Sequence, residues 1–304
     1  MDTSYGLTLA TFQLYRVYSN TEILVGTYTT GSTGKIQVRS LLPGQYYWRE
    51  TRAPEGYMLD ETKHYFTVEA DRLTTLKVTN TRSAVPDIFT DRHDAYIVGY
   101  TDGLVHPERS ITRAEVATIF FRLLNEDVRK QYQTDSNSFS DVSESHWFNT
   151  EVSTMAAMGI LNGYPDGTYQ PNAPITRAEF AAICARFDPY SGGTGAAFED
   201  VYGHWAAEEI AVAAANGWLM GYDDGTFHPG QNITRAEAIL VINRVLQRIP
   251  GSADDLLDGM KIWPDNTNTS KWYYLAIQEA TNSHNYNRNL NGKEYWTALI
   301  DSAT

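Results

Sequence analysis

A single cysteine among 304 residues, Cys184, excludes an internal disulfide framework and any zinc site built on thiolates. Bases are also scarce. Twenty-four Lys and Arg against 37 Asp and Glu leave a formal net charge of −13, which argues against a nucleic-acid binder acting through general basicity. No run approaches the roughly 18 apolar residues that a membrane-spanning helix needs. Met1-Asp-Thr-Ser-Tyr5 offers no basic and apolar leader, so the expectation is a cytosolic chain or one whose signal has been cut away. What is present suits folded domains: 42% hydrophobic and 20% charged residues, over a length that fits two or three of them. Twenty tyrosines and seven tryptophans are many for an acidic chain, and such residues either face sugars and partner proteins or build small cores.

Ile-Thr-Arg-Ala-Glu occurs three times, with its arginine at Arg113, Arg177 and Arg235. Ten residues before each stands the glycine of an Asp-Gly pair: Asp102-Gly103, Asp166-Gly167 and Asp224-Gly225. Pro107, Pro171 and Pro229 lie six before, and Tyr100, Tyr164 and Tyr222 each follow a glycine two residues ahead of the Asp. Gly-Tyr-x-Asp-Gly is turn chemistry, in which Asp bonds locally and Gly takes a positive φ. Ile-Thr-x-x-Glu is a helix start, with Thr as N-cap and Glu at N3 closing a capping box. The stripes that follow have helical spacing: Val116, Ile119, Phe120, Leu123; Phe180, Ile183, Cys184, Phe187; Ala238, Val241, Ile242, Val245. Cys184 therefore reads as a buried, inert thiol rather than a nucleophile.

A second half-repeat comes before the turn: Phe139-x-Asp141 with His146-Trp147, then Phe198-x-Asp200 with His204-Trp205. It reads as a short segment and an amphipathic helix ending at Gly159 or Gly217. The first repeat lacks this half, whereas Trp263-Pro-Asp265 and Trp272 supply an unpaired copy near the C-terminus. Three copies of each half, offset by one, imply that the C-terminal segment packs beside the first repeat and closes a ring of three units. The expected boundaries are 84–304 for the whole region, with repeat 1 at about 84–125 completed by 262–304, repeat 2 at 139–187 and repeat 3 at 198–246. Segments 125–138, 188–197 and 247–261 read as linkers.

These motifs resemble the S-layer homology (SLH) family from about Val85 to the C-terminus. The resemblance implies a mainly α, pseudo-threefold assembly outside the cell. It implies non-covalent binding of secondary cell-wall polysaccharide, often pyruvylated, that anchors exported proteins to the bacterial envelope.

Capping accounts for Thr and Glu but not for the arginine, since a cation in the first helical turn opposes the macrodipole at a cost of about 0.3–1 kcal/mol. Its threefold recurrence has two readings. A guanidinium beside free helix-start N–H groups would receive a carboxylate such as a pyruvate ketal, or each arginine would pair with an acid of its own chain. Trp147, Trp205 and Trp272 are either platforms for sugar rings or core residues. The Asp-Gly pairs form turns, whose backbone groups are candidates for lining a sugar groove. Repeat 1 departs from its sisters, with Leu104-Val-His106 where they have Thr-Tyr-Gln and Thr-Phe-His. No Asp-x-Asp-x-Asp-Gly calcium loop appears, and His146 and His204 lack a second histidine at i+4, so neither metal nor cofactor is expected.

Residues 1–83 change character, rich in Thr, Tyr, Val and Gly. Strand-like runs at Phe12–Tyr18, Ile23–Tyr28, Lys35–Arg39, Gln45–Glu50, His64–Val68 and Leu73–Val78 predict an all-β sandwich. Phe12-Gln-Leu-Tyr15, Leu41-Leu-Pro-Gly-Gln-Tyr-Tyr47, Glu50-Thr-Arg-Ala-Pro-Glu-Gly-Tyr57 and Val78-Thr-Asn80 resemble the Cna B-type, SpaA-like domain of Gram-positive surface proteins and pilins. In that family a first-strand lysine joins a last-strand asparagine with help from a buried acid. The resemblance places the acid on Glu50 and the asparagine on Asn80. The lysine position precedes Asp2, where only Met1 stands, so no internal isopeptide bond is expected and the sequence reads as a fragment cut just past that position.

Together these readings predict a surface protein: a β stalk or adhesive module, able to meet other surface proteins or host ligands, carried on a polysaccharide-binding anchor. The alternative is the accessory wall-binding region of an envelope hydrolase. No Ser/His/Asp set, carboxylate pair or metal motif predicts catalysis within the chain.

Overall fold

The computed structural model describes residues 7–19, 21–54, 57, 59–60, 62–81, 85–187, 198–222, 224–289 and 292–301. Near the N-terminus, β1 (Thr11–Tyr18), β2 (Thr21–Thr29), β3 (Gly44–Arg52) and β4 (His64–Val68) form one antiparallel sheet in the order β2-β1-β3-β4. Phe12 and Leu14 alternate inward along β1, as a half-buried strand requires, and Tyr15 stacks on Tyr47 of β3 on the opposite face. The runs 35–39 and 73–78, expected as strands, join no ladder among the described residues, and Leu73 and Leu76 are exposed there.

The remaining elements are mostly helices. They are α1 (Arg113–Leu123), α2 (Glu126–Tyr132), α3 (Asn149–Ala157), α4 (Arg177–Ala185), α5 (Ala207–Ala215), α6 (Arg235–Val245) and α7 (Tyr274–Thr281), followed by a hairpin of β5 (His284–Arg288) and β6 (Glu294–Leu299). Thr112, Thr176 and Thr234 each cap their helix in a complete capping box with Glu115, Glu179 and Glu237. The three apolar stripes, Cys184 included, are buried in one core, and burial raises the Cys184 thiol far above its ordinary range. Two segments read as linkers hold structure instead. Segment 125–138 contains α2, whose N-cap Asn125 accepts from Val128 N, and 247–261 contains a short 3₁₀ turn and the buried Arg248. The third, 188–197, lies outside the described residues.

Pseudo-threefold symmetry is written into the backbone. Ile111 N donates to Ile233 O, Ile233 N to Ile175 O and Ile175 N to Ile111 O, a closed circuit of hydrogen bonds at 3.0–3.2 Å. A second circuit uses the half-repeat acids. Asp141 accepts from the amides of Tyr169 and Gln170, Asp200 from Phe227 and His228, and Asp265 from Val105 and His106. Asp265 thus crosses from the C-terminal segment to do for the first repeat what Asp141 and Asp200 do within theirs. The bond holds His106, Gln170 and His228 in left-handed backbone (φ +50 to +56°), an unfavourable conformation that recurs because it is braced each time. Ala280 O likewise receives Tyr96 and Ile97 N, where Met155 and Ala213 serve the sister repeats.

Candidate functional site

Each repeat arginine leaves the first turn of its helix and lies against the neighbouring repeat. Arg113 donates from Nε to Tyr169 O (2.8 Å), from Nη2 to Asn162 O (2.8 Å) and from Nη1 to Glu179 Oε1 (2.9 Å), stacked over Tyr164 and Tyr169. Arg177 donates to Phe227 O and Met220 O and stacks over Tyr222 and Phe227, with no ion pair among the described residues. Arg235 donates to Val98 O, stacks over Tyr100 and lies 3.8 Å from Glu115 Oε1. Val105 replaces the second aromatic of the other two grooves here, and Arg235 Nε is buried without a hydrogen bond.

Helix-start N–H groups are not free, contrary to the anion-receptor expectation. Arg113, Arg177 and Arg235 N donate to Ala173, Gln231 and Arg109 O, and the next residue of each helix donates to Pro171, Pro229 and Pro107 O. These donors sew one repeat to the next, so recognition of an anion falls to side chains. All three arginines are only 5% exposed, and burial holds the Arg177 pKa below its ordinary value against Tyr222, Glu237 and Asp200, which raise it.

The sequence reading missed a second arginine. Arg122, Arg186 and Arg244 recur nine residues after the first, and donate to the equivalent carbonyls of Tyr96, Ile160 and Trp218. Burial holds the Arg122 and Arg186 pKa values down, opposed by nearby Glu151 and Glu209, with Arg235 and Arg113 adding smaller downward effects. The exact recurrence was the available signal.

The three tryptophans are outside the core: Trp147, Trp205 and Trp272 are 65, 62 and 58% exposed. Trp272 lines a cavity of about 190 Å³ with Arg177, Tyr222, Glu237 and Arg244. By correspondence of the repeats, Trp205 precedes α5, which packs on α4 beside Arg113, and Trp147 precedes α3, which packs on α1 beside Arg235. Asp102, Asp166 and Asp224 accept from the amides of Leu104, Thr168 and Thr226 in their own turns, with Gly103, Gly167 and Gly225 at φ +80 to +85°. None of these six lines the Arg177 cavity.

In the β domain the two residues placed by resemblance do meet: Asn80 Nδ2 donates to Glu50 Oε2 at 2.7 Å, and Asp60 N donates to the same oxygen. Burial pushes Glu50 up to about 7 despite those two bonds. Residues 1–6, where the first-strand lysine position falls, lie outside the described residues.

A ring of Thr-Arg-Ala-Glu helices beside a tyrosine-rich sheet defines a modular surface protein, and the family comparisons agree. The S-layer homology domain model matches residues 94–117, 138–181 and 197–239, and the SpaA prealbumin-like fold model matches 1–82. The chain belongs to the SLH family, with a SpaA prealbumin-like domain at its N-terminus. Among relatives, cell surface glycoprotein 1 of Acetivibrio thermocellus is 38% identical over 68% of this chain and 9% of its own length. The cellulosome-anchoring protein of the same organism is 36% identical over 70% of this chain and 47% of its own. An amylopullulanase of Thermoanaerobacterium thermosulfurigenes is 32% identical over 54% of this chain and 9% of its own. The chain thus spans less than half the length of each of these relatives. Domain content and relatives place it at the bacterial cell surface, and among the described residues no helix is long and apolar enough to cross a membrane.

Proposed function

We propose that the SLH ring anchors the protein non-covalently to the cell wall by holding an acidic, pyruvylated secondary cell-wall polysaccharide in its inter-repeat grooves, with the β domain carried outward as a stalk or adhesive module. The observation that carries this reading is the Arg177 groove. There a guanidinium without an ion pair among the described residues, a second arginine and an exposed tryptophan share one cavity. A carboxylate matches the guanidiniums, and the flat apolar face of a pyranose matches the indole. The matching sequences of proteins named for surface anchoring support the same reading.

Titration with a short pyruvylated wall disaccharide tests it. Trp272→Ala, which removes an exposed ring and leaves the core untouched, is expected to weaken binding about tenfold or more, on the order of 1.5 kcal/mol. Unchanged affinity in that variant together with Arg244→Gln would reject the groove. The amylopullulanase match favours one further reading, a wall-binding accessory of an enzyme. The grooves would serve it in the same way, and glycan hydrolysis by the full-length protein separates the two.

A further inference from the structure

His93, Glu279, His284 and Glu294 converge where the two ends of the ring meet, and all four are buried. His93 precedes the first repeat, Glu279 lies in the last turn of α7, and His284 and Glu294 are the first residues of β5 and β6. One ligand atom from each lies within 4.8 Å of the others. His93 Nδ1 is 3.2 Å from His284 Nε2, 3.3 Å from Glu279 Oε1 and 3.6 Å from Glu294 Oε2; His284 Nε2 is 3.3 Å from Glu279 Oε1. A tetrahedron with bonds of 2.0–2.1 Å has six edges of about 3.3–3.4 Å, and these four separations, 3.2–3.6 Å, fit four of them.

The outer atoms of the cluster are already committed. His284 Nδ1 is 2.8 Å from Asn282 O, which makes that nitrogen the donor and leaves the Nε2 lone pair facing the centre. Trp296 Nε1 donates to Glu279 Oε2, and Arg288 Nη2 donates to Glu294 Oε1. The remaining carboxylate oxygens, Glu279 Oε1 and Glu294 Oε2, are buried, accept no hydrogen bond and point inward. His93 stacks on Tyr286 and His284 on Trp296, which fixes both rings. This division, inner atoms bare and outer atoms held, is how a metal site is built. Arg288 compensates one of the two buried carboxylates, and a bound cation would compensate the other.

We propose that His93, Glu279, His284 and Glu294 bind one divalent transition-metal ion, zinc, in a closed tetrahedral site that clasps the C-terminal hairpin to the start of the ring. Two imidazole ligands argue against calcium and magnesium, which take oxygen ligands, calcium at about 2.3–2.6 Å and magnesium in octahedra rich in water. Two carboxylates neutralise the ion, and four protein ligands leave no open position, so the role is structural.

The test uses the full chain purified without a metal-affinity tag or chelator, its metal content read by mass spectrometry. About one zinc per chain is expected. Removing it with a strong chelator is expected to lower Tm by about 5 °C or more, and restoring zinc, but not calcium or magnesium, is expected to reverse the loss. Cobalt loaded in its place is expected to give the intense visible bands of a tetrahedral centre. Glu294→Gln and His284→Gln should abolish the zinc-dependent rise in Tm. Should either variant fail to fold, the wild-type zinc and cobalt titrations decide alone. Metal-free protein whose Tm ignores added zinc, or a weak octahedral cobalt spectrum, would overturn the proposal and leave a proton-sharing His–Glu network.

Discussion

Arginine, rather than lysine, stands at the three helix starts because its guanidinium has more than one task there. In Arg113 and Arg177, Nε and Nη2 hold two carbonyls of the next repeat while the plane lies over aromatic rings, leaving the Nη1 edge for an acid. Arg113 spends that edge on Glu179, and Arg177 leaves it facing a cavity. A lysine keeps the charge but loses the fork and the stacking. Arg177→Lys is therefore expected to keep the fold and lose about 10- to 100-fold in polysaccharide affinity, read by calorimetric titration. Glycine acts at the same scale. A Cβ on Gly163 would come within 2.4 Å of the Phe139 ring and 2.7 Å of Thr168 O, and Gly99 and Gly221 meet Trp263 and Phe198 in the same way. Gly163→Ala should cost about 1–3 kcal/mol in thermal or urea unfolding. Glu50 gives a pH signature. Its folded pKa of about 7 lies above the unfolded 4.5, so the folded state keeps a proton that the unfolded state releases. Stability of the β domain should thus fall as pH rises from about 4.5 to 7 and level off above, by at most about 3 kcal/mol. Glu50→Gln should flatten that slope in calorimetry.

Elements show what the sequence could and could not disclose. The capping boxes at Thr112, Thr176 and Thr234 were legible because they close over three residues, and the apolar stripes because burial follows helical period. Helix α2 was hidden in a polar stretch with no buried residue, although Asn125 was an N-cap signal. The fate of the helix-start amides was not legible at all, because their acceptors sit in a neighbouring repeat. The same holds for the His–Glu cluster, whose ligands come from segments far apart in the chain. The doubled arginines were legible and overlooked. One test belongs to this scale: Asp141, Asp200 and Asp265 each accept two amides at a left-handed residue. Replacing any one by Ala should destabilise the ring by about 1.5–3 kcal/mol, the three values agreeing within about a factor of two in denaturant unfolding. A much smaller loss for Asp265→Ala would mean that the C-terminal segment is not an equal partner.

At the scale of the whole molecule, the repeats are alike in backbone and unlike in their grooves. Glu179 is bound to Arg113 and Tyr164, the Arg235 groove lacks a second ring, and the Arg177 groove combines an arginine lacking an ion pair among the described residues with a lined cavity. Polymer affinity should therefore be unevenly distributed. Saturation with a short disaccharide is expected to show one dominant binding step, lost in Trp272→Ala, rather than three equal steps.

The circuit through Ile111, Ile175 and Ile233 gives this anchor a mechanical character. A load applied through the β domain enters just ahead of the first repeat, which is held to the C-terminal segment by Asp265 and Ala280 across the seam. Tension would reach all three units through their shared hub instead of peeling them away one at a time. Rupture would then resemble the failure of a keystone arch, abrupt and all at once, rather than the stepwise unravelling of a string of beads.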